Sequence, residues 1–199
     1  KEHPDVKSCL KKGIINYSSL SRLIAKDLCL GKETSKEAIL VAARRFHEKL
    51  KKESGHEKKI ASLLKKSEIE IKNKIAVFVL EKNINLDYVD EIQKSIRKES
   101  GTFYVLEGSD SYTLIAQEKY CPLIEKRFQL KIIRSSTDLV LVNFKSPKDI
   151  ESTIGFMSYL ASLLAENDIN IRELISCWTD TLFVIDSNDL NRTINLLKF

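Results

Sequence analysis

Apolar residues recur every three or four positions through the first 67 residues of the chain, which is the spacing of amphipathic helices. The clearest apolar face is that of Ile39, Ala43, Phe46 and Leu50. Helices are predicted over residues 5–12, 18–30, 35–52 and 57–66, with glycines or a Ser-Gly pair at their ends. Ser18 is the expected N-cap of the second helix, and Thr34 with Glu37 fits a capping box at the third.

The hydrophobic period changes at Glu68. Residues 68–72 alternate strictly between charged and apolar, which predicts a half-buried strand, and the fully apolar Ile75–Leu80 follows. The alternating piece either pairs with its neighbour as a hairpin or extends it. The change of period therefore marks a boundary near residue 67 between a helical region and a region that contains a sheet.

The region after residue 67 carries one pattern twice: an apolar strand, an amphipathic helix, two strands and a short helix. The first copy comprises Ile75–Leu80, Leu86–Lys98, Phe103–Leu106, Tyr112–Ala116 and Cys121–Phe128, and the second comprises Leu139–Phe144, Ile150–Asn167, Ile169–Ser176, Thr181–Ile185 and Asn188–Leu197. Thr113-Leu-Ile aligns with Thr181-Leu-Phe at an offset of 68 residues. Strand–helix–strand connections place the helices on one face of the sheet. The predicted domains are 1–67, 68–137 and 138–199.

The second copy resembles a known family. Thr153-Ile-Gly-Phe-Met157, the leucines that follow it and Ile169-Asn-Ile171 are similar to the signature of ACT domains of the aspartokinase type. Asp168 stands where that family usually has glycine. With its helical beginning, the whole chain resembles archaeal proteins described as predicted regulators of amino-acid metabolism. The resemblance implies an α+β protein, with an all-helical, helix-turn-helix-like domain followed by two ferredoxin-like βαββα(β) ACT repeats with antiparallel sheets and helices on one face.

The resemblance also implies a binding site for a free amino acid in the second repeat. The backbone amides around Ile154, Gly155 and Phe156 would hold the ligand's carboxylate, because a helix N-terminus favours an anion. Asn170 and Ile171, at the start of the next strand, would contact its polar ends. Asp149 or Glu151 would pair with its ammonium group, or simply act as a helix N-terminal charge. The alternative is that Gly155 only permits close packing and Asn170 is a turn residue. The first repeat lacks the glycine and is expected to be a scaffold.

Charge divides the chain unevenly. Residues 1–74 carry 19 lysines and arginines against 10 acidic residues, whereas residues 75–199 carry 14 against 18. A basic helical module is typical of nucleic-acid binding, and the third helix would then be the recognition helix in duplex DNA. Its expected phosphate contacts are Lys36, Arg44, Arg45, Lys51 and Lys52. Glu37 and Glu48 lie among these cations, so a helical docking or dimerisation module, or no partner role, are the alternatives.

Nothing in the sequence points to catalysis or a cofactor. The three histidines lie in the basic segment without metal-ligand spacing, and Cys177 has no histidine in its domain. The four cysteines are widely separated, which favours reduced thiols in a cytoplasmic protein, and no apolar run is long enough to span a membrane. We expect a non-enzymatic, amino-acid-responsive regulator in which tandem ACT repeats are coupled to a DNA-binding helical domain. We expect it to be dimeric through its ACT sheets, because unpaired sheet edges favour association. The alternative is a regulatory or scaffold subunit that docks on a biosynthetic enzyme without binding DNA.

Overall fold

The computed structural model describes residues 4–30, 35–52 and 55–198. The chain divides into two compact units, Lys1–Lys59 and Ile60–Phe199. The helices are α1 (Pro4–Lys12), α2 (Tyr17–Asp27), α3 (Lys36–Lys52), α4 (Gly55–Lys65), α5 (Leu86–Lys98), α6 (Cys121–Phe128), α7 (Phe156–Ala165) and α8 (Leu190–Leu196). The strands are β1 (Glu68–Glu81), β2 (Phe103–Glu107), β3 (Ser111–Gln117), β4 (Ile132–Lys145), β5 (Glu173–Cys177) and β6 (Asp180–Asp186).

The first unit packs α1, α2 and α3 around a small apolar core. Its buried side chains are Leu10, Leu20, Ala43 and Leu50. His47 of α3 is buried and its Nδ1 contacts the carbonyl of Leu10, which also accepts the N–H of Gly13 at 3.1 Å. This contact ties α3 to the end of α1. Gly13, at a φ of +71°, ends α1 as predicted.

The helix starts of the first unit differ from the prediction by one or two residues. Asn16, not Ser18, caps α2, because its Oδ1 accepts the N–H of Ser19 at 3.1 Å. Ser35 caps α3, with its Oγ accepting the N–H of Ala38 at 3.1 Å. Thr34 of the predicted capping box lies outside the described residues, as does Gly31, the glycine that the sequence places at the end of the second helix. At the start of both helices, several residues that can act as an N-cap lie close together in the sequence, and the sequence alone does not show which of them caps the helix.

The second unit contains one antiparallel six-stranded sheet in the order β2-β3-β1-β4-β6-β5. The expected α+β class is therefore confirmed. Both central strands, β1 and β4, are 14 residues long, and they pair from Glu68 opposite Lys145 to Leu80 opposite Ile132. Near the middle of each strand the pairing shifts register beside a residue with positive φ, Lys74 at +54° and Asp138 at +57°, and such bulges bend a strand. The alternating segment 68–72 thus extends the first strand.

Helices cover one face of this sheet in two clusters. Val89, Ile92 and Ile96 of α5 pack on Phe78 and its neighbours in one half of the sheet. In the other half, the buried set comprises Phe156, Leu160 and Leu164 of α7, Ile60, Leu63 and Leu64 of α4, and Val140, Val142, Phe144, Phe183 and Ile185 of the sheet. The end of α4 therefore belongs with the second unit, whereas the predicted domain boundaries at 67 and 137 stay a prediction.

The opposite face of the sheet is buried as well. Its core consists of Ile75, Val77, Ile115, Leu139, Leu141, Leu182 and Val184, all at most 3% exposed, with Tyr104, Leu106 and Ile175 packed against them. These residues come from both halves of the sheet. The bends in β1 and β4 therefore curl the sheet so that its two halves share this third cluster.

Three features of the chain from β4 onward differ from the prediction. Strand β4 begins at Ile132, seven residues before the predicted Leu139. Helix α7 begins at Phe156, because residues Lys148–Ser152 form a 3-10 turn. Finally, Phe78 of β1 pairs with Leu114 of β3, and the corresponding residue of β4, Val142, pairs with Phe183 of β6. Leu114 and Phe183 are therefore equivalent positions, and they are 69 residues apart. The predicted offset of 68 is wrong by one residue, which would exchange the two faces of the strand.

The pKa of the Glu173 carboxyl group on β5 reflects its burial in the curled sheet. Burial raises its pKa, and the nearby positive charge of Arg134 on β4 opposes this only in part. Folding therefore disfavours the charged form of Glu173. The free energy of unfolding falls as the pH rises through the raised pKa, because the folded protein must then carry this charge.

We expect Glu173→Gln to increase the free energy of unfolding at pH 7, because it removes a charge that folding desolvates. The gain should shrink as the pH falls through the raised pKa of the folded state and vanish below the usual pKa of glutamic acid, where the wild-type group is protonated in both states. Urea denaturation across that pH range measures the effect, with the exposed Glu125→Gln as control. A gain that is constant with pH would contradict this assignment.

Candidate functional site

A cavity of about 480 Å³ lies at the start of α7 in the second unit. The 3-10 turn before the helix, the first turn of the helix and the β5–β6 hairpin form its walls. The lining residues are Ile150, Glu151, Thr153, Gly155, Phe156, Met157, Ser158, Ser176 and Trp178. This volume lies within the range of pockets that hold small molecules.

The helix start that opens into this cavity has no side-chain cap. Gly155 is its N-cap residue, in the left-handed conformation at a φ of +89°, and makes no capping hydrogen bond. The N–H of Phe156 reaches the carbonyl of Thr153 at 3.4 Å. The next N–H groups of the first turn, on Met157 and Ser158, have no acceptor within the helix by its geometry. The first turn of α7 carries no acidic residue. The site is therefore suited to an anion.

The corresponding helix start in the other half of the sheet, that of α5, is closed to an anion. Asn85 caps α5, and its Oδ1 accepts the N–H of Asp87 at 2.9 Å. Asp87 also places a carboxylate in the first turn. Because a side chain and a negative charge already satisfy this helix end, the two halves of the sheet differ in the property that anion binding requires.

The hairpin wall of the cavity is held in place by the backbone. The N–H of Ser146, just after β4, donates to the carbonyl of Thr179 at 2.8 Å, and Lys145 pairs with Asp180. Trp178 occupies the hairpin turn at a φ of +50°, a conformation unusual for an aromatic residue. The residue is 58% exposed, and the Nζ of Lys148 lies 5.4 Å from the centroid of its ring. The turn thus presents an aromatic surface beside the open helix end.

The cavity also contains a negative charge. Glu151 lines it, on the 3-10 turn Lys148–Ser152, whose end is tied by the Oγ1 of Thr153 donating to the carbonyl of Asp149 at 2.7 Å. A carboxylate and a helix N-terminus in one small cavity match a ligand with both charges. Asp149 is not among the lining residues. Of the two acidic residues considered from sequence, Glu151 is the one that the structure brings to the cavity.

The predicted ligand-binding residues fall into two groups in the structure. Gly155 and Phe156 line the cavity. Ile154 is 69% exposed and does not line it, and neither do Asn170, which is exposed, and Ile171, which is half-buried. Their role in binding stays a prediction.

Sequence reasoning missed the hairpin side of the cavity. Ser176 and Trp178 line it together with Ser158 from the first turn of α7. The available signal was a tryptophan in the short connection between the predicted strands that end at Ser176 and begin at Thr181, because a bulky residue is rare in a tight turn. The pairing of β6 with β4, which brings this turn to the start of α7, is a long-range contact that no local pattern reveals.

The predicted DNA-contacting residues all belong to α3 in the first unit. Lys36, Arg44 and Arg45 are exposed, and the side chains of Lys51 and Lys52 lie outside the described residues. The guanidinium of Arg44 lies 5.9 Å from the ring centroid of Tyr17. Arg45 lies in an apolar groove beside Val41 and Phe46. These contacts do not identify a nucleic-acid surface.

Among the described residues, no group of three or more histidine, cysteine or acidic side chains is arranged to hold a metal ion. Within the same residues, no helix has the length and apolar character needed to cross a membrane.

Comparison with known proteins gives a structural likeness only. No family model matches the chain, and no curated protein matches its sequence. The structure is similar to the aspartate kinase of Clostridium acetobutylicum, with a TM-score of 0.53 and 17% identity over 65% of this chain and 33% of that chain. It is also similar to the ligand-free regulatory subunit of aspartate kinase from Thermus thermophilus, with a TM-score of 0.51, 9% identity, and 65% and 92% of the two chains covered. A structure of aspartokinase alpha and beta subunits gives a TM-score of 0.52 at 11% identity, with coverages of 65% and 93%.

These similarities confirm an ACT-like fold of the kind found in aspartokinase regulatory regions. The chain corresponds to only a third of the C. acetobutylicum enzyme but to nearly all of the T. thermophilus regulatory subunit. At such low identity the likeness concerns the fold and not the ligand or the partner.

Substitution of Gly155 tests the backbone at the open helix end. A Cβ atom there would lie 3.6 Å from the Cδ1 of Ile60, so the cost comes from the positive φ and not from a clash. We expect Gly155→Ala to lower the free energy of unfolding by about 1–2 kcal/mol. Gly155→Asn should cost less, because asparagine tolerates the left-handed region. Chemical denaturation checks both, and an asparagine variant no more stable than the alanine variant would contradict the assigned backbone conformation.

Proposed function

We propose that this protein is a non-enzymatic regulator that binds a free amino acid in the cavity at the start of α7. The observation that carries the proposal is the uncapped N-terminus of α7, which opens into a cavity that also contains Glu151. The α-carboxylate would accept hydrogen bonds from the N–H groups of Met157 and Ser158, and the carboxylate of Glu151 would pair with the α-ammonium. The side chain of the amino acid would lie against Trp178.

The second unit is proposed to be a tandem pair of ACT repeats in which the second binds and the first supports. The symmetric strand order and the constant 69-residue spacing of β3 and β6, and of α6 and α8, favour two copies of one unit. The capped start of α5 favours a scaffold role for the first copy. Ile154, Asn170 and Ile171 lie outside the cavity walls, so a contribution from them would require the ligand or a partner to extend beyond the cavity.

Regulation would follow from the way the two halves of the sheet are joined. The third cluster, from Ile75 to Val184, is shared between the halves, and β1 and β4 run through both. A ligand that binds one arrangement of these halves more tightly than another shifts the population toward it. The same shift would alter the sheet edges, through which we propose that the protein forms a homodimer.

The output is proposed to be the control of a partner protein, with the chain acting as a regulatory subunit. The fold likeness to the regulatory subunit of T. thermophilus aspartate kinase, nearly all of which is matched, favours this function. Transcriptional control by a helix-turn-helix-like first unit is the second candidate, and it is supported by the excess of basic residues before residue 75.

A thermal-shift screen against the twenty amino acids tests the sensor. A ligand at about 100 times its dissociation constant should stabilise the protein by about 2.7 kcal/mol. Ser158→Asp should abolish the shift, because a carboxylate in the first turn repels the ligand while favouring the helix. Ser162→Asp, on the same exposed side of α7 but one turn beyond the cavity, is the matched control and should respond as the wild type does. No shift with any amino acid, or equal shifts in both variants, would contradict the proposed site.

A test of binding to duplex DNA distinguishes a regulatory subunit from a transcriptional regulator. A regulatory subunit should show no DNA affinity that falls steeply with salt. Binding with a linear dependence of log K on log salt, and weakened by Arg44→Ala with Arg45→Ala, would instead favour the transcriptional output. A fluorescence-anisotropy titration at several salt concentrations distinguishes these results.

A further inference from the structure

Helix α3 has a second apolar face that points away from the core of its own unit. Its first face, with Ile39, Ala43, His47 and Leu50, is buried. On the other side lies an open groove of about 730 Å³ lined by Ser35, Glu37, Ala38, Val41, Ala42, Arg45, Phe46 and Lys49. Val41 is 47% exposed and Phe46 46% exposed. A helix with large apolar side chains on both sides is suited to a partner on the outer one.

The side chains of the outer face change from small ones near the N-terminus of α3 to long cationic ones near its C-terminus. Its N-terminal half has the small residues Ala38 and Ala42, beside Glu37. Its C-terminal half has the long cationic side chains of Arg45 and Lys49. Neither Glu37 nor Lys49 forms an ion pair with any residue that the structure describes. The face is therefore self-complementary when it meets a copy of itself running in the opposite direction.

We propose that this face binds the α3 helix of a second copy of the chain in an antiparallel arrangement. With the crossing point between Ala43 and Arg44, each Ala42 faces Arg45 of the other copy, and each Ala38 faces Lys49. The small residues leave room for the aliphatic stems of the long ones, whose charged heads reach solvent.

The same arrangement completes the apolar and the charged contacts. Val41 and Phe46 of each copy border the contact on its two sides, because five residues turn a helix by more than a third of a circle. Glu37 of each copy comes next to Lys49 of the other, so that two equivalent ion pairs flank the apolar centre. A parallel arrangement would put Glu37 against Glu37 and Lys49 against Lys49. Charge complementarity therefore selects the antiparallel direction.

This contact is independent of the proposed amino-acid site and of any pairing between sheet edges. One helix face on each side gives a small interface, so the association should be weak and concentration-dependent. In this pairing of α3 helices, Arg45 and Lys49 lie in the contact between the two copies.

Charge reversal tests the pairing by sedimentation equilibrium of the full chain up to about 1 mM. Glu37→Lys and Lys49→Glu should each weaken self-association about tenfold, because both symmetry-related pairs become repulsive. The double variant, with both charges exchanged, should restore it. Lys36→Glu is the matched control: it changes the charge of the same helix by the same amount as Lys49→Glu, at an exposed position outside the groove.

Three results would overturn the proposal. A wild-type chain that is monomeric throughout the concentration range leaves no self-association to explain. A dimer unaffected by either single reversal is formed elsewhere on the molecule. A double variant no stronger than the two single ones rules out the antiparallel partnership of Glu37 with Lys49. Circular dichroism of each variant establishes that the helices are intact.

Discussion

The antiparallel pairing of β1 with β4 joins two long strands over nearly their whole length, and each strand contributes to both halves of the sheet. Because both bend at a residue with positive φ, Lys74 or Asp138, the sheet curls and buries its two faces. The candidate site depends on the position of the C-terminal end of β4. Strand β4 leads directly to the turn before α7, and its partner β6 brings the Trp178 hairpin to the same place. The cavity is thus formed by two segments that are separate in sequence, residues 150–158 and 176–178, and that the pairing of β4 with β6 holds together.

The two halves of the sheet show how one framework supports different local chemistry. Helix α5 begins with the side chain of Asn85 and the charge of Asp87, whereas α7 begins with Gly155 and no cap. A capped helix start stabilises the fold by about 1 kcal/mol, and an uncapped one leaves donors for a ligand. One half therefore has the features of a scaffold and the other those of a binding site. On the helical first unit, the outer face of α3 is proposed to be a second interaction surface.

Local patterns in the sequence were sufficient to predict the helices, most strands and the unusual glycine, because periodicity and capping chemistry are short-range signals. Strand Ile132–Ser136 was not predicted, since its partly polar sequence becomes a strand only by pairing with β1. The one-residue error between β3 and β6 has a similar cause. Thr113 and Thr181 look equivalent in sequence, but the strand pairing makes Tyr112 the equivalent of Thr181, since Tyr112 pairs with Leu80 and Thr181 with Phe144. The hairpin side of the cavity, with Ser176 and Trp178, was missed because only tertiary structure brings it to α7. Gly155 and Phe156 were found because the helix start itself carries the signal.

The central claim is that the open end of α7 recognises the carboxylate of a free amino acid beside Trp178. Trp178 is the single tryptophan of the chain, so its fluorescence reports on the cavity directly. The most direct measurement is a fluorescence titration with each amino acid and with the carboxamide of any that binds. The account predicts a saturable change with the amino acid and at least about tenfold weaker binding of the carboxamide, which lacks the charge that strengthens these hydrogen bonds. Equal affinity for the two compounds, or no change with any amino acid, would contradict it.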